Sequence, residues 1–335
     1  MEENSIVKYE GGIIKRISNQ IGVTNKLLTL SEPELIPYRK GDKWGFCTVD
    51  KKMVIDCLYD WTEPFNEGLA AVNLNGKAGF INKEGVEIIP LKYEYVNSFN
   101  EGLAAVELNG KRGFINKEGV EIISLKYKNA LSFSEGLVSV KLNDKWGFIN
   151  KEGVEIIPLK YDRANLFTEG LVAVAVAVVP NEKWGFINKE GVEIIPLKYQ
   201  WAYHFNDGLA PVKLNNKFGF INKEGVLIIP YVYEWADSFS EGLAPVKLNN
   251  KFGFINKEGV LIIPYVYEWA DSFSEKLAKV MMNNKFGYIN KEAVLIIPCV
   301  YERAYPFSDG LADVEMNRYR KSGYINKEGA EYWED

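Results

Sequence analysis

Histidine and cysteine are almost missing from this chain, with one histidine, His204, and three cysteines in 335 residues. That scarcity removes the usual zinc ligands, and no Cys/His spacing suggests a metal site. A lone histidine also leaves no Ser/His/Asp or Cys/His set to assemble, so catalysis is not expected. No Walker or dinucleotide fingerprint occurs, and no cofactor is expected. Long apolar runs are lacking too. No stretch of 18 apolar residues exists, which excludes a transmembrane helix. The opening MEENSIVKYEGG has no basic segment followed by an apolar one, so no secretory signal is expected. Charge of one sign does not dominate either. A net charge of −5 and a pI near 5.4 give no pull towards nucleic acid or an anionic membrane. The odd cysteine count fits a reducing compartment, and a cytoplasmic location is the expectation.

What the chain does have is repetition. Some version of aromatic-Gly-Phe-Ile-Asn-Lys-Glu-Gly recurs nine times, with its first glycine at Gly45, Gly79, Gly113, Gly147, Gly185, Gly219, Gly253, Gly287 and Gly323. The steps are 34, 34, 34, 38, 34, 34, 34 and 36 residues. A fixed period of this size means stacked units. Cys57 and Cys299 stand in a slot held elsewhere by Leu91, Leu125, Leu159 and Leu197, and Cys47 replaces Ile81, so all three read as small apolar fillers.

Residues 77–110 serve as the reference unit. Two short β-rich runs flank the polar turn Lys83-Glu84-Gly85, which is a hairpin signal, with Gly85 supplying positive φ. The turn glycine recurs except at Lys51 and Ala293, where strain is expected. Then come a tyrosine (Tyr93, Tyr127 and their equivalents), a phenylalanine (Phe99, Phe133 and theirs) and a third strand around Leu103–Val106. The pattern predicts three strands per unit in an antiparallel meander, with no helical period inside the repeats. Pro211 and Pro245 in the third strand suggest an edge position. Thirty-odd residues cannot bury enough apolar surface alone, so the repeated Tyr and Phe should cement neighbours.

The motif Lys43-Trp44-Gly45-Phe46, repeated at Lys145–Phe148 and Lys183–Phe186, resembles the bacterial WG-repeat (KWG) family, as do the Ile-Asn-Lys-Glu-Gly and Ile-Ile-Pro that follow. The resemblance covers residues 31–335. The tryptophan is replaced by Ala78, Arg112, Phe218, Phe252, Phe286 and Ser322 in the other units. The family implies β-rich tandem repeats without shared catalytic chemistry, and carries over no ligand residues.

The expected fold class is therefore all-β: tandem units of about 34 residues, eight complete with partial ends over 31–335, in an open twisted array like a solenoid. Segment 34–43 looks like a third strand with no first two, and 322–333 like a first and second with no third. A closed β-propeller-like ring, sealed by the N-terminal strand, is the alternative. Residues 1–30 stand apart. Ile13, Ile17 and Ile21 have helical spacing and Thr24 could cap a turn to Leu28, which reads as a partly helical cap or a docking peptide.

Function then points to a non-enzymatic scaffold for a protein partner, with a carbohydrate or cell-surface binding module as the alternative. Two clues bear on contacts. Units 217–250 and 251–284 differ only at Gly242/Lys276, Pro245/Lys279, Lys247/Met281 and Leu248/Met282, all in the third strand and its entry. Trp201, Trp235 and Trp269 share one slot, as do Trp61 and Tyr95. Lys276, Lys279, Met281, Met282, Trp201, Trp235 and Trp269 are thus the candidate partner contacts. The acidic series from Glu67 and Glu101 to Asp309 is the best ion candidate, but reads more simply as turn residues accepting backbone N–H bonds. The lysines at 83, 117 and 151 read as a salt-bridged surface. The apolar alternation 171–179 reads as a lengthened hairpin.

Overall fold

The computed structural model of the protein describes residues 35–178, 181–316 and 322–334, and the backbone of 7–10 and 13–16. Among these the secondary structure is entirely β. Strands β1 (Val7–Glu10) and β2 (Ile13–Arg16) form a separate hairpin. Ile13 therefore lies in a strand, not in the helical turn its spacing suggested. Ile17, Ile21, Thr24 and Leu28 fall outside the described residues.

The repeat begins with β3 (Ile36–Lys40), β4 (Lys43–Cys47) and β5 (Met53–Tyr59). Next come β6 (Trp61–Thr62), β7 (Ala70–Leu74), β8 (Lys77–Ile81) and β9 (Glu87–Tyr93), then β10 (Tyr95–Val96), β11 (Ala104–Leu108), β12 (Lys111–Ile115) and β13 (Glu121–Tyr127). Seven of the sheets are antiparallel meanders of four strands, such as β10-β11-β12-β13. The expected count of three is corrected to four. The added strand is two residues long, and only Glu94 separates it from β9 of the preceding sheet. The chain thus leaves the edge of one sheet and enters the next within three residues.

Two turns build each sheet. Between β8 and β9, Gly85 has φ +77° and its N–H donates to the Asn82 carbonyl. The Asn82 side chain also accepts from the Val86 N–H at 2.8 Å, so the motif asparagine closes the turn. Lys51 and Ala293 adopt φ +60° and +61° in the same place, as their missing glycine foretold. Between β7 and β8, Asn75 and Gly76 both have positive φ, the requirement of a tight hairpin turn. The motif glycine has a different role. The β8–β9 register slips on either side of Phe80. A Cβ added at Gly79 would lie 2.4 Å from the Ile89 carbonyl oxygen, so the bulged strand passes directly over it.

Burial grades across each sheet. Ala104, Ala105 and Val106 of β11 are all buried, whereas β13 buries only Ile123 and Tyr127. β11 is therefore an inner strand and β13 an outer edge. The third strand carrying Pro211 or Pro245 is accordingly internal, which corrects the edge expected from proline. Its tolerance has a local cause. The neighbour Trp201–Ala202 ends after two residues, so few ladder donors are asked of that side.

Aromatic pairs hold sheet to sheet. Phe80 of β8 meets Phe99, in the β10–β11 loop of the next sheet, at 4.8 Å between ring centroids. Phe114–Phe133 and Phe148–Phe167 repeat the contact at 5.0 and 4.9 Å. Tyr93 joins the same core with Ile89, Val96 and Val106. The tyrosine and phenylalanine rows are thus inter-sheet cement, as expected.

The architecture is a tandem array of open sheets, none closed into a barrel. Its two ends meet. The strand Glu331–Glu334 runs parallel to β3, with Arg39 opposite Trp333 and Lys40 opposite Glu334. Seven strands, Arg303–Ala304 to Glu331–Glu334 followed by β3-β4-β5, form one sheet. Arg39 Nε donates to the Ser322 carbonyl at 2.6 Å and Gly41 N–H to the Glu334 carbonyl at 2.9 Å. The incomplete first and last units complete each other in this one sheet, and the array of separate open sheets is the one expected.

Candidate functional site: an aromatic face across consecutive sheets

Two repeat slots converge on one face. The motif aromatic precedes the motif glycine on one strand, and the slot of Trp201 is the first residue of the two-residue strand. Trp184 and Trp201 lie 5.0 Å apart. Tyr203 contacts Trp201 at 5.9 Å, Phe218 at 6.2 Å and Trp235 at 6.4 Å. Trp235 then reaches Phe252 at 5.3 Å and Trp269 at 5.6 Å, and Phe252 and Trp269 are 5.2 Å apart. Seven rings from four successive sheets form an unbroken ladder.

The ladder is only partly covered. Trp201 and Trp269 keep 39% and 38% of their surface exposed. A groove of about 600 Å³ runs beside it, walled by Trp201, Tyr203, Phe218 and Trp235 and rimmed by Gln200, Asn216, Lys213, Glu182 and Glu234. Lys213 and Lys247 lie over the rings of Phe218 and Phe252, each at 5.6 Å. Burial raises the Tyr203 pKa, with Asp237 adding to the shift, so this phenol stays neutral. The face offers flat apolar rings with cations and amides at the margins, which suits stacking and hydrogen bonding.

The three candidate tryptophans are thus brought together, with Tyr203 as an unforeseen bridge. Elsewhere the row breaks at Asn129, Arg163 and Arg303, as the sequence indicates. The second candidate group is spread differently. Lys276 donates its N–H to Glu241 at 2.9 Å. Lys279 turns inward, where its Nζ pairs with Asp271 at 2.7 Å, donates to the Ala304 carbonyl and lies over the Phe286 ring. Met281 is half-buried and Met282 exposed. Trp269 Nε1 donates to the same Asp271, so Lys279 is tied to the end of the ladder.

The acidic row is structural. Glu135 accepts from the Gly170 N–H of the following sheet and pairs with Lys189 at 3.0 Å. Glu67, Glu101, Glu169, Glu241 and Glu275 pair in the same way with Lys117, Lys151, Lys223, Lys291 and Lys327. At Glu67 burial pushes the pKa up, but the bonds from Lys117 and Gly102 outweigh it and the carboxyl sits below its ordinary value. Among the described residues no group of three or more His, Cys, Asp or Glu is placed to hold a metal. His204 is held below its usual pKa by burial, against the pull of Asp237, and its carbonyl accepts from Ser238. The thiols of Cys47, Cys57 and Cys299 are free and are all raised by burial, Cys47 to about 11, so none is an activated nucleophile. Among the described residues no helix is long and apolar enough to cross a membrane.

Comparison with known proteins bears on the fold and the family. No curated protein matches the chain. A solved structure described as a eukaryotic initiation factor superposes with a TM-score of 0.62 over 90% of this chain and 95% of that one, at 12% identity. Hsv2p from Kluyveromyces lactis gives 0.42, covering 80% and 93%, at 10% identity. At such identities the first likeness speaks for the fold alone, and the second carries no argument. The family described as WG containing repeat matches eight times, at residues 44–77, 79–111, 113–146, 146–176, 184–218, 218–252, 252–286 and 286–319. The chain belongs to the family of WG-repeat proteins.

Proposed function

We propose that this protein is a non-enzymatic interaction scaffold that holds a protein partner on its aromatic face. The observation that carries the reading is the continuous ladder from Trp184 to Trp269 with its adjoining groove. Clustered tryptophan and tyrosine dominate the energetics of protein interfaces once a partner covers them and excludes water. The repeat frame beneath supplies rigidity, since each ring stands on a strand or beside one. The three free thiols fit a reducing, cytoplasmic setting.

The test compares the full chain with a W201A/W235A/W269A variant of matched melting temperature. A partner isolated on the wild-type protein should lose at least tenfold in affinity on the variant, by about 1.4 kcal/mol or more. Equal affinity would remove the ladder as the binding surface. A second reading is kept because the groove mixes flat rings with Gln200, Asn216 and Glu234, which also suits a sugar. Quenching of tryptophan emission by a polysaccharide, lost in the same variant, would favour glycan over protein.

A further inference from the structure

The junction of the first and last units repeats the ladder's slots with different chemistry. Trp44 stands where Trp184 does, Trp61 where Trp201 does and Tyr305 where Tyr203 does. Trp44 and Tyr324 meet edge to face at 5.9 Å. These four aromatics wall a cavity of about 260 Å³, and a second cavity of about 280 Å³ adjoins it, sharing Tyr305, Asp313 and Tyr324.

The charged residues stand in different slots from those of the ladder groove. The position of Asp313, opposite Tyr324, is Ala71, Ala105, Ser139, Ala173, Pro211 and Pro245 in the earlier sheets. It carries a charge only in the last two units, as Lys279 and Asp313. Lys279 is neutralised by Asp271 at 2.7 Å. The residue equivalent to Asp271 beside Asp313 is Tyr305, which offers no charge. Glu315 replaces Lys213 and Lys247 and faces Arg303 at 3.9 Å, while Arg303 also donates to the Tyr305 hydroxyl at 3.0 Å. Glu63 and Asp309 line the adjoining cavity. The described lining thus holds four carboxylates and one guanidinium.

We propose that this junction binds an organic ammonium group, held against the faces of Trp44, Trp61, Tyr305 and Tyr324 and opposite the Asp313 carboxylate. Aromatic faces attract alkylated cations through the ring quadrupole, and a nearby carboxylate supplies the counter-charge. A bare metal ion fits less well, because no group of three or more metal-ligating residues is gathered among the described residues. The site lies on the same repeat slots as the ladder but shares no residue with it, so each can fail without the other.

The experiment is calorimetric titration of the full chain with choline, and with 3,3-dimethylbutan-1-ol, its neutral isostere. Choline should bind at least about tenfold tighter than the isostere. W61A and D313N should each weaken choline by about tenfold, and W269A, in the ladder, should leave it unchanged. Binding should also weaken as pH falls through about 6, where burial, opposed by Arg303 and assisted by Glu315, has raised the Asp313 carboxyl. Glu63, which burial also raises, and Asp309, Tyr305 and Tyr324 face the same space. No choline binding, equal binding of the isostere, or undiminished binding by D313N would overturn the proposal. Should D313N fail to fold, W61A decides, because that ring is part-exposed and its loss is tolerable.

Discussion

At the scale of single residues, the repeat is written by steric exclusion. Gly113, like Gly79, lies under a bulged neighbour, and a Cβ there would come within 2.4 Å of the Ile123 carbonyl oxygen. Gly113→Ala should therefore lower stability by about 3 kcal/mol, read as a fall in denaturation midpoint. Ala293 is the reverse case. It holds φ +61° where its equivalents are glycine, so Ala293→Gly should raise stability by about 1 kcal/mol in the same measurement. The turn role of Gly85 was legible in the sequence, because a polar turn ending in glycine between two β-rich runs has one usual geometry. The role of Gly79 was not. It depends on where the next strand crosses, and nothing local to the motif announces that Ile89 and Pro90 pass over it. The role of Asn82 is not legible for a similar reason: the sequence shows it only as a recurring motif position, while its side chain closes the turn.

At the scale of elements, alternation revealed the long strands and missed the short ones. Tyr95–Val96 is too brief to show a period, and it is the strand that turns three per unit into four. Its first residue, Tyr95, shows in the sequence only as a member of the aromatic slot. The helical spacing at Ile13 misled because residues four apart also share one face of a strand, and Ile13 lies in β2. The outer edge strands carry a further signal. Pro90, Pro158, Pro196, Pro230, Pro264 and Pro298 occupy one slot, and proline there blocks pairing with another chain. Ser124 in β13 breaks the series. Ser124→Pro should stabilise by about 0.4–1 kcal/mol through the unfolded state, and should slow concentration-dependent aggregation followed by light scattering. Destabilisation instead would mean that the Ser124 N–H has a partner the proline slots lack.

At the scale of the whole molecule, the sequence posed the question of the two ends without answering it. The leftover strands were visible as an unmatched third strand and an unmatched pair. Their parallel meeting was not, since it joins Arg39 to Trp333 across nearly the whole chain. The aromatic face was half legible: the tryptophan slot was seen, but Tyr203 as the bridge between neighbouring tryptophans needed the spacing of adjacent sheets. Deleting residues 331–335 removes the strand that borders β3. Amide exchange in 36–47 should then rise by at least about tenfold, with little change in 137–267, measured by mass spectrometry. Uniform loss of protection would show that the whole array depends on the junction, and no change would show that β3 stands without it.

The junction also sets a clock on biosynthesis. Arg39 emerges from the ribosome long before Trp333 does, so β3 spends most of translation as a bare edge. The inner sheets can stack as they are made, each on the last. The first unit must wait for Glu331–Glu334, so the nascent chain carries an exposed strand edge that the folded protein covers.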